Sequence, residues 1–259
     1  MAFNARILAS GLTDVGRKRS HNEDTYLLLE SESLFMVADG MGGHASGEVA
    51  SKLAVETIKE FFLATSADPE ATWPYKTDKN LGYEENRLVT GIKLANRRIY
   101  EASHKNTRLR GMGTTLVVLF ATREGCLIGH VGDSRIYRLR DGKLDQLTED
   151  HSLLNDYKKM KTMSEEEIAE FPHKNVIVRA LGMKESVKVD TLIDPPKSGD
   201  IYILCSDGLS GPVSDETIAE VADANSDLKA ACQKLIEIAN QNGGPDNVTV
   251  VICKWMGSG

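Results

Sequence analysis

The 259-residue sequence predicts an α+β fold of antiparallel sheets with helices packed on the outside. Two observations carry this. The helical stripes come in two pairs, one early and one late, rather than alternating with strands as βαβ units would require. The strand-like runs are short and mostly joined by turns, which suits hairpins.

Taken in order, residues 6–12 and 25–29 read as strands joined by the polar stretch 13–24, and residues 34–38 as a third strand. A Gly-rich turn follows. The spacing then predicts a helix over 46–63, with Val49, Ala50, Leu53, Ala54, Ile58, Phe61 and Phe62 on one stripe. Residues 66–82 hold two prolines and read as a loop, in which Trp73-Pro74-Tyr75 forms a hydrophobic clasp over the helix pair. A second helix spans 83–103, with Leu88, Ile92, Ala95, Ile99 and Ala102 at steps of three and four. Strands follow at 114–121, 126–131 and 135–139. Asp141-Gly142 then turns the chain into a strand at 143–147. Residues 150–180 are polar, with short helical pieces at 153–159 and 165–170. Strands at 187–193 and 201–205 flank Pro195-Pro196. Helices at 215–221 and 228–241 precede a last strand at 247–255. There is no internal repeat, and Gly243-Gly244-Pro245 is too short for a linker. The expectation is therefore one domain over 1–259, with a tail at 256–259.

The formal charge is −7, with Lys and Arg spread along the chain. That composition argues against nucleic-acid binding through phosphate neutralisation. No apolar run approaches the roughly 20 residues of a membrane helix, and the N-terminus lacks a signal-peptide core. No membrane association and a cytoplasmic location are expected. Cys126, Cys205, Cys232 and Cys253 lie far apart in apolar stretches, so they read as buried thiols in a reducing compartment.

Three apolar runs end on an aspartate: 34–38 before Asp39-Gly40, 126–132 before Asp133-Ser134, and 201–206 before Asp207-Gly208. A fourth aspartate, Asp246, stands just before the run 248–253. Asp-Gly alone is a common turn, and Asp141-Gly142 is no more than that. Four aspartates at strand ends are different, because buried like charges are costly unless something positive lies between them. Divalent cations fill that role. Oxygen-only ligands select Mg²⁺ or Mn²⁺ rather than zinc. Two such ions about 4 Å apart can share a bridging aspartate and a water whose pKa they lower. Residues 17–24 mix base and acid, giving an arginine whose planar fork suits a phosphate, with Glu23 and Asp24 beside it. A rival reading takes Gly40-x-Gly42-x-x-Ala45 as a dinucleotide turn. Asp39 would then put negative charge beside a pyrophosphate, and no second acid-ending strand follows about 20 residues on.

The motifs Arg19-x-x-x-Glu23-Asp24, Val37-Ala38-Asp39-Gly40-Met41-Gly42-Gly43, Gly111-Met112-Gly113-Thr114-Thr115, Gly132-Asp133-Ser134-Arg135, Ser206-Asp207-Gly208-Leu209 and Gly244-Pro245-Asp246-Asn247 occur in the order found in metal-dependent (type 2C, PPM) protein Ser/Thr phosphatases. Over residues 6–254 the chain resembles the compact bacterial type. The resemblance implies a four-layer α/β/β/α sandwich, two antiparallel sheets each flanked by a helix pair, with a metal cleft at one end. It implies two or three Mn²⁺ or Mg²⁺ ions. Asp39 would bridge two of them, with the Gly40 carbonyl on one, and Asp207 and Asp246 on the other. Asp133 with Asp207 matches a third-metal site. Glu23 would act through water, Asp24 would brace the ligands, and Arg19 would grip phosphate. The implied reaction is hydrolysis of phosphoserine or phosphothreonine in proteins by metal-activated water. The implied setting is signalling, opposite a bacterial Ser/Thr kinase; a monomer is the default expectation. Residues 148–181 correspond to a flap, where His151, Ser152 and Arg179 read as packing residues. Animal members carry His after the Asp-Gly. This chain has Met41, so the proton donor is open; a water or His44 could serve. A binding module on the same fold, or another phosphate ester as substrate, are the alternatives.

Overall fold

Eleven strands form two antiparallel sheets in the computed structural model, which describes residues 5–42, 46–68, 70–161, 163–164, 167–168, 171 and 176–258. The strands are β1 (Ala5–Asp14), β2 (Asp24–Leu29), β3 (Leu34–Met41), β4 (Gly113–Thr114), β5 (Leu116–Thr122), β6 (Gly125–Val131), β7 (Arg135–Arg140), β8 (Lys143–Gln146), β9 (Asp190–Asp194), β10 (Ile201–Cys205) and β11 (Val248–Ser258). One sheet has the order β1-β11-β10-β7-β8. The other runs β2-β3-β5-β6-β9, with β4 added to β3. Among the described residues the helices are α1 (Ser46–Ala67), α2 (Tyr83–Lys105), α3 (Leu153–Met160), α4 (Asp207–Ser210), α5 (Asp215–Ala224) and α6 (Leu228–Gln241).

The sequence explains the layers. Side chains alternate across a strand, so a strand buried on both faces is apolar throughout. In β3, Leu34, Met36 and Ala38 meet α1 and α2, while Phe35 and Val37 enter the space between the sheets. In β10, Ile203 and Cys205 meet the layer of α5 and α6, while Tyr202 and Leu204 face the other sheet. β11 divides likewise, Val250 and Ile252 against Val251 and Cys253. The result is the expected α/β/β/α sandwich. No described helix is long and apolar enough to cross a membrane.

Several elements differ from expectation. β3 does not stop at Ala38; it runs on to Met41, because Gly40 and Met41 pair with β4. The expected strand at 114–121 is interrupted at Thr115, whose N–H bonds the Asp39 carbonyl at 2.8 Å. Residues 187–189 are not strand; Val187 and Val189 pack against the α1–α2 core, and β9 begins at Asp190. The short helix α4 was not foreseen. Val49 is 39% exposed rather than part of the buried stripe. Both His44 and most of the expected helical piece 165–170 lie outside the described residues. Trp73 forms the clasp, its ring 5.9 Å from Phe61 of α1 and 5.2 Å from Tyr83 of α2. All four cysteines are free and buried, and burial pushes the Cys126, Cys205 and Cys232 thiols up to about 12.

A polar clasp also ties the sheets together. Asp194 of β9 accepts from Arg138 of β7 at 2.6 Å and from the Tyr202 hydroxyl of β10 at 2.6 Å. Tyr202→Phe strands one buried carboxylate oxygen and should destabilise the fold by about 1–3 kcal/mol. Urea unfolding should show a lower midpoint at unchanged slope; an unchanged midpoint would mean the hydroxyl contributes nothing.

Candidate metal centre

The extension of β3 brings Asp39 directly opposite Asp24 in the β2–β3 ladder. Like charges facing each other across a pair of strands repel, so something must hold them. Asp24 is buried, and its Oδ2 accepts from Ser206 Oγ at 2.8 Å and Thr249 Oγ1 at 2.6 Å. Both donors belong to the opposite sheet, so this carboxylate links the two layers. Burial pushes Asp24 up to about 6, these two hydrogen bonds pull it down, and the charges of Asp207 and Asp246 raise it again.

Asp39 is held through its backbone. Its N–H donates to Thr115 Oγ1 at 3.1 Å, and its carbonyl accepts from Thr115 N–H and Thr114 Oγ1, each at 2.8 Å. Burial, then the charges of Asp24, Asp207, Asp133 and Asp246, raise its carboxyl well above the usual range. Gly40 passes close to the start of α1; a Cβ there would lie 2.2 Å from the Gly47 carbonyl oxygen. Only glycine lets the strand end and the helix start meet so closely.

The other acids arrive from separate elements. Asp207 opens α4 directly after β10, and burial followed by the Asp246 charge raises its carboxyl. Asp133 lies buried in the turn between β6 and β7; burial and the charges of Asp207 and Asp150 push it up to about 7. Asp246 precedes β11 and accepts from Arg19 Nη2 at 2.7 Å. Arg19 is half exposed, and this contact uses one of its five N–H donors. Glu23 is half-buried; burial raises its carboxyl, while the Gly47 N–H lowers it.

Sequence patterning missed the residues that hold this arrangement. The Asn247 amide donates to the Val15 and His21 carbonyls at 2.9 and 2.8 Å and accepts from Glu23 N–H at 2.8 Å, pinning the loop 15–24. Ser206 and Thr249 brace Asp24. Their only sequence signal is position: Ser206 immediately before Asp207, Asn247 and Thr249 just after Asp246.

Asp24, Asp39, Asp133, Asp207 and Asp246 thus lie in one electrostatic neighbourhood, and the geometry fits hard cations. Asp24 Oδ1, Asp133 Oδ1 and Asp207 Oδ1 are buried with no partner among the described residues. Unpaired buried carboxylate oxygens of this kind suit Mg²⁺ or Mn²⁺. The ligand atoms do not all converge on one point. The described group that does, within 4.8 Å, is His130, His151 and Asp190, on the far side of the Asp133 turn. Beside the aspartates opens a cleft of about 590 Å³, lined by Asp133, Asp207 and Asp246 and, opposite, by Asp150, Asn155 and Lys158 of the excursion between β8 and β9.

Comparisons with known proteins agree with this geometry. The family model described as Protein phosphatase 2C matches residues 16–249. The serine/threonine phosphatase stp of Listeria monocytogenes is 37% identical over 247 residues, covering 93% of this chain and 92% of its own length. The structure of the Mycobacterium tuberculosis serine/threonine phosphatase PstP superposes with a TM-score of 0.84 at 35% identity, covering 97% and 99% of the two chains. A PstP catalytic domain in complex with two manganese ions superposes at 0.79, with 33% identity over 97% and 99% of the chains.

Raised carboxyl pKa values have a definite sign for stability. Without cations the folded state holds a proton on Asp133 up to about pH 7, whereas the unfolded chain releases it near the ordinary aspartate value of 3.8. The folded state binds more protons in that window, so this group's contribution to stability falls as pH rises through it. In EDTA, Asp133→Asn should match the wild type near pH 4, gain on it as pH rises toward about 7, and keep a constant advantage above that. Urea midpoints across pH test this; parallel profiles would show that Asp133 does not titrate as described.

Proposed function

The chain belongs to the protein phosphatase 2C family, and on that premise we propose how its own residues divide the work of a metal-dependent protein serine/threonine phosphatase. Its cofactor is Mn²⁺ or Mg²⁺, and its substrates are phosphorylated proteins. The observation that carries the assignment of residues is the set of buried, mutually repelling carboxylates with orphaned oxygens at one end of the sandwich.

In this proposal Asp39 and the Gly40 carbonyl, with Asp207 and Asp246, hold two cations, and Asp133 with Asp207 holds a third. When bound, the cations lower the pKa of a water and offset charge on the phosphoryl group. Glu23 orients water at the edge of the set, and its contact with the Gly47 N–H fixes its carboxylate. Asp24 stays behind the ligands, where Ser206 and Thr249 hold it and its charge adds to the negative potential that attracts cations. Arg19 is anchored by Asp246 through a single donor, which leaves its fork able to receive a phosphate. The thiols are buried, and burial raises the pKa of each, so none serves as a nucleophile. The physiological counterpart is a Ser/Thr kinase whose products this chain reverses.

Phosphate release from a phosphothreonine peptide should require Mn²⁺ or Mg²⁺ and cease in excess EDTA. Asp207→Asn should lose turnover together with metal-induced thermal stabilisation; full activity in that variant would sink the assignment. Arg19→Ala should raise KM more than it lowers kcat, because the lost contact is to substrate phosphate in ground and transition state alike.

A further inference from the structure

His151 has no part in the assignment above, yet both its ring and its backbone bond the residue before Asp133. Gly132 has φ +113°, and a Cβ on it would lie 2.6 Å from Thr115 Cβ. It has no side chain to fix the two peptides that flank it, and the second of these leads directly into Asp133. Neighbours fix them instead. Gly132 N–H donates to His151 Nδ1 at 3.0 Å. The Gly132 carbonyl accepts from the His151 backbone N–H at 2.8 Å, and His130 Nε2 lies 3.0 Å away. The two imidazoles stack, with centroids 4.1 Å apart.

The Gly132 N–H, which can only donate, sets the tautomer of His151, and Arg179 Nη1, 2.9 Å from Nε2, then directs its hydrogens to Asp190 rather than to the ring. Nδ1 accepts, so the neutral ring carries its proton on Nε2, which donates to Asp190 Oδ2 at 3.0 Å. Burial, followed by the neighbouring His130, pushes the pKa of His151 down to about 4, which keeps the ring neutral near pH 7. His130, His151 and Asp190 have the composition of a metal site. However, Arg179 Nη1 lies 2.9 Å from His151 Nε2 and 3.0 Å from Asp190 Oδ1, so a guanidinium already supplies the positive charge there.

The same residue ties down the excursion between β8 and β9. Val178 N–H donates to the His151 carbonyl at 2.9 Å, Leu153 N–H to the Val176 carbonyl at 2.8 Å, and Ser152 bridges to Ile177. Both ends of the segment beside the cleft therefore meet at His151.

We propose that His151 is a positioning residue: its Nδ1 holds the peptide that enters Gly132, its backbone N–H holds the peptide that leaves it, and together they aim Asp133, while the same residue anchors the excursion that walls the cleft. This rests on the reading that Asp133 holds a cation. It makes the cation at Asp133 and the placement of the cleft wall responsive to one another through a single imidazole.

Two variants separate the ends of the ring. Asn places an amide oxygen near the position of Nδ1, whereas Gln reaches the position of Nε2. His151→Asn therefore keeps the acceptor for Gly132 and loses Asp190, and His151→Gln does the reverse. Mn²⁺ isotherms on chelator-stripped protein, with Asp133→Asn as reference, provide a readout independent of turnover. Asp133→Asn should remove one binding step. His151→Gln should weaken that same step about 10- to 100-fold, the usual effect of losing a residue that orients a ligand. His151→Asn should leave it near wild type. Equal isotherms for the two His151 variants would overturn the inference. An unchanged isotherm for Asp133→Asn would instead remove the reading of Asp133, and the inference with it. In wild-type protein, imidazole ¹⁵N shifts should report the Nε2–H form of His151. An Nδ1–H form would overturn the inference even if His151→Gln fails to fold, because Gly132 N–H would then face a donor.

Discussion

Repulsion among carboxylates at one end of the sandwich is the constraint on which the surrounding structure depends. An uncompensated buried charge costs several kcal/mol, whereas a neutral hydrogen bond returns about 1 kcal/mol. Ser206 and Thr249 can hold Asp24 in place, but they cannot neutralise Asp39, Asp133 and Asp207 as well. Arg19 makes its ion pair with Asp246 and offsets Asp207 only from a distance, and Arg135 is committed to Asp150. The protein side chains therefore fix where the acids stand and leave the charge to be balanced from outside. This division of labour suits a site that must bind cations firmly and still present them to a charged substrate.

Holding the acids requires both sheets. β2 and β3 bring Asp24 and Asp39 from one layer, while β10 and β11 frame Asp207 and Asp246 in the other. The apolar space between the layers, filled by Phe35, Val37, Leu204 and Val251, sets their separation. Register matters equally. A one-residue slip of β3 would turn Asp39 to the opposite face and put an apolar side chain in the cleft. The two-sided burial of β3, β10 and β11 makes such a slip costly. The rigidity of the centre is thus a property of the core, delivered at the strand ends.

The layers and the aspartates at the strand ends were legible in the sequence because each rests on a one-dimensional pattern. Apolar runs such as 201–206 can lie only in a doubly buried strand, and an acid at their end has few innocent explanations. What failed to show had no such pattern. Gly40 reads as a turn, yet extended pairing with Thr114 carries β3 past it. Val187 and Val189 alternate like a strand but have helices, not a neighbouring strand, to pack against. Helix α4 is four residues long, too short for any periodicity. Asn247, Thr249 and Ser206 are neutral polar residues whose importance comes from what the fold brings within 3 Å of them. His151 stands 19 positions from the peptide it holds.

The clamp of Asn247 on the loop 15–24 joins the start of the chain to its last strand. β11 lies between β1 and β10, so the sheet that carries Asp207 has a gap at its centre until β11 is in place. Asp39 and Arg19 come from early in the chain, yet the layer facing them closes only when β11 pairs on both sides, with β1 and with β10. Unpairing that one strand would release the Thr249 bond to Asp24, the Asn247 hold on the loop 15–24 and the frame of Asp207 together.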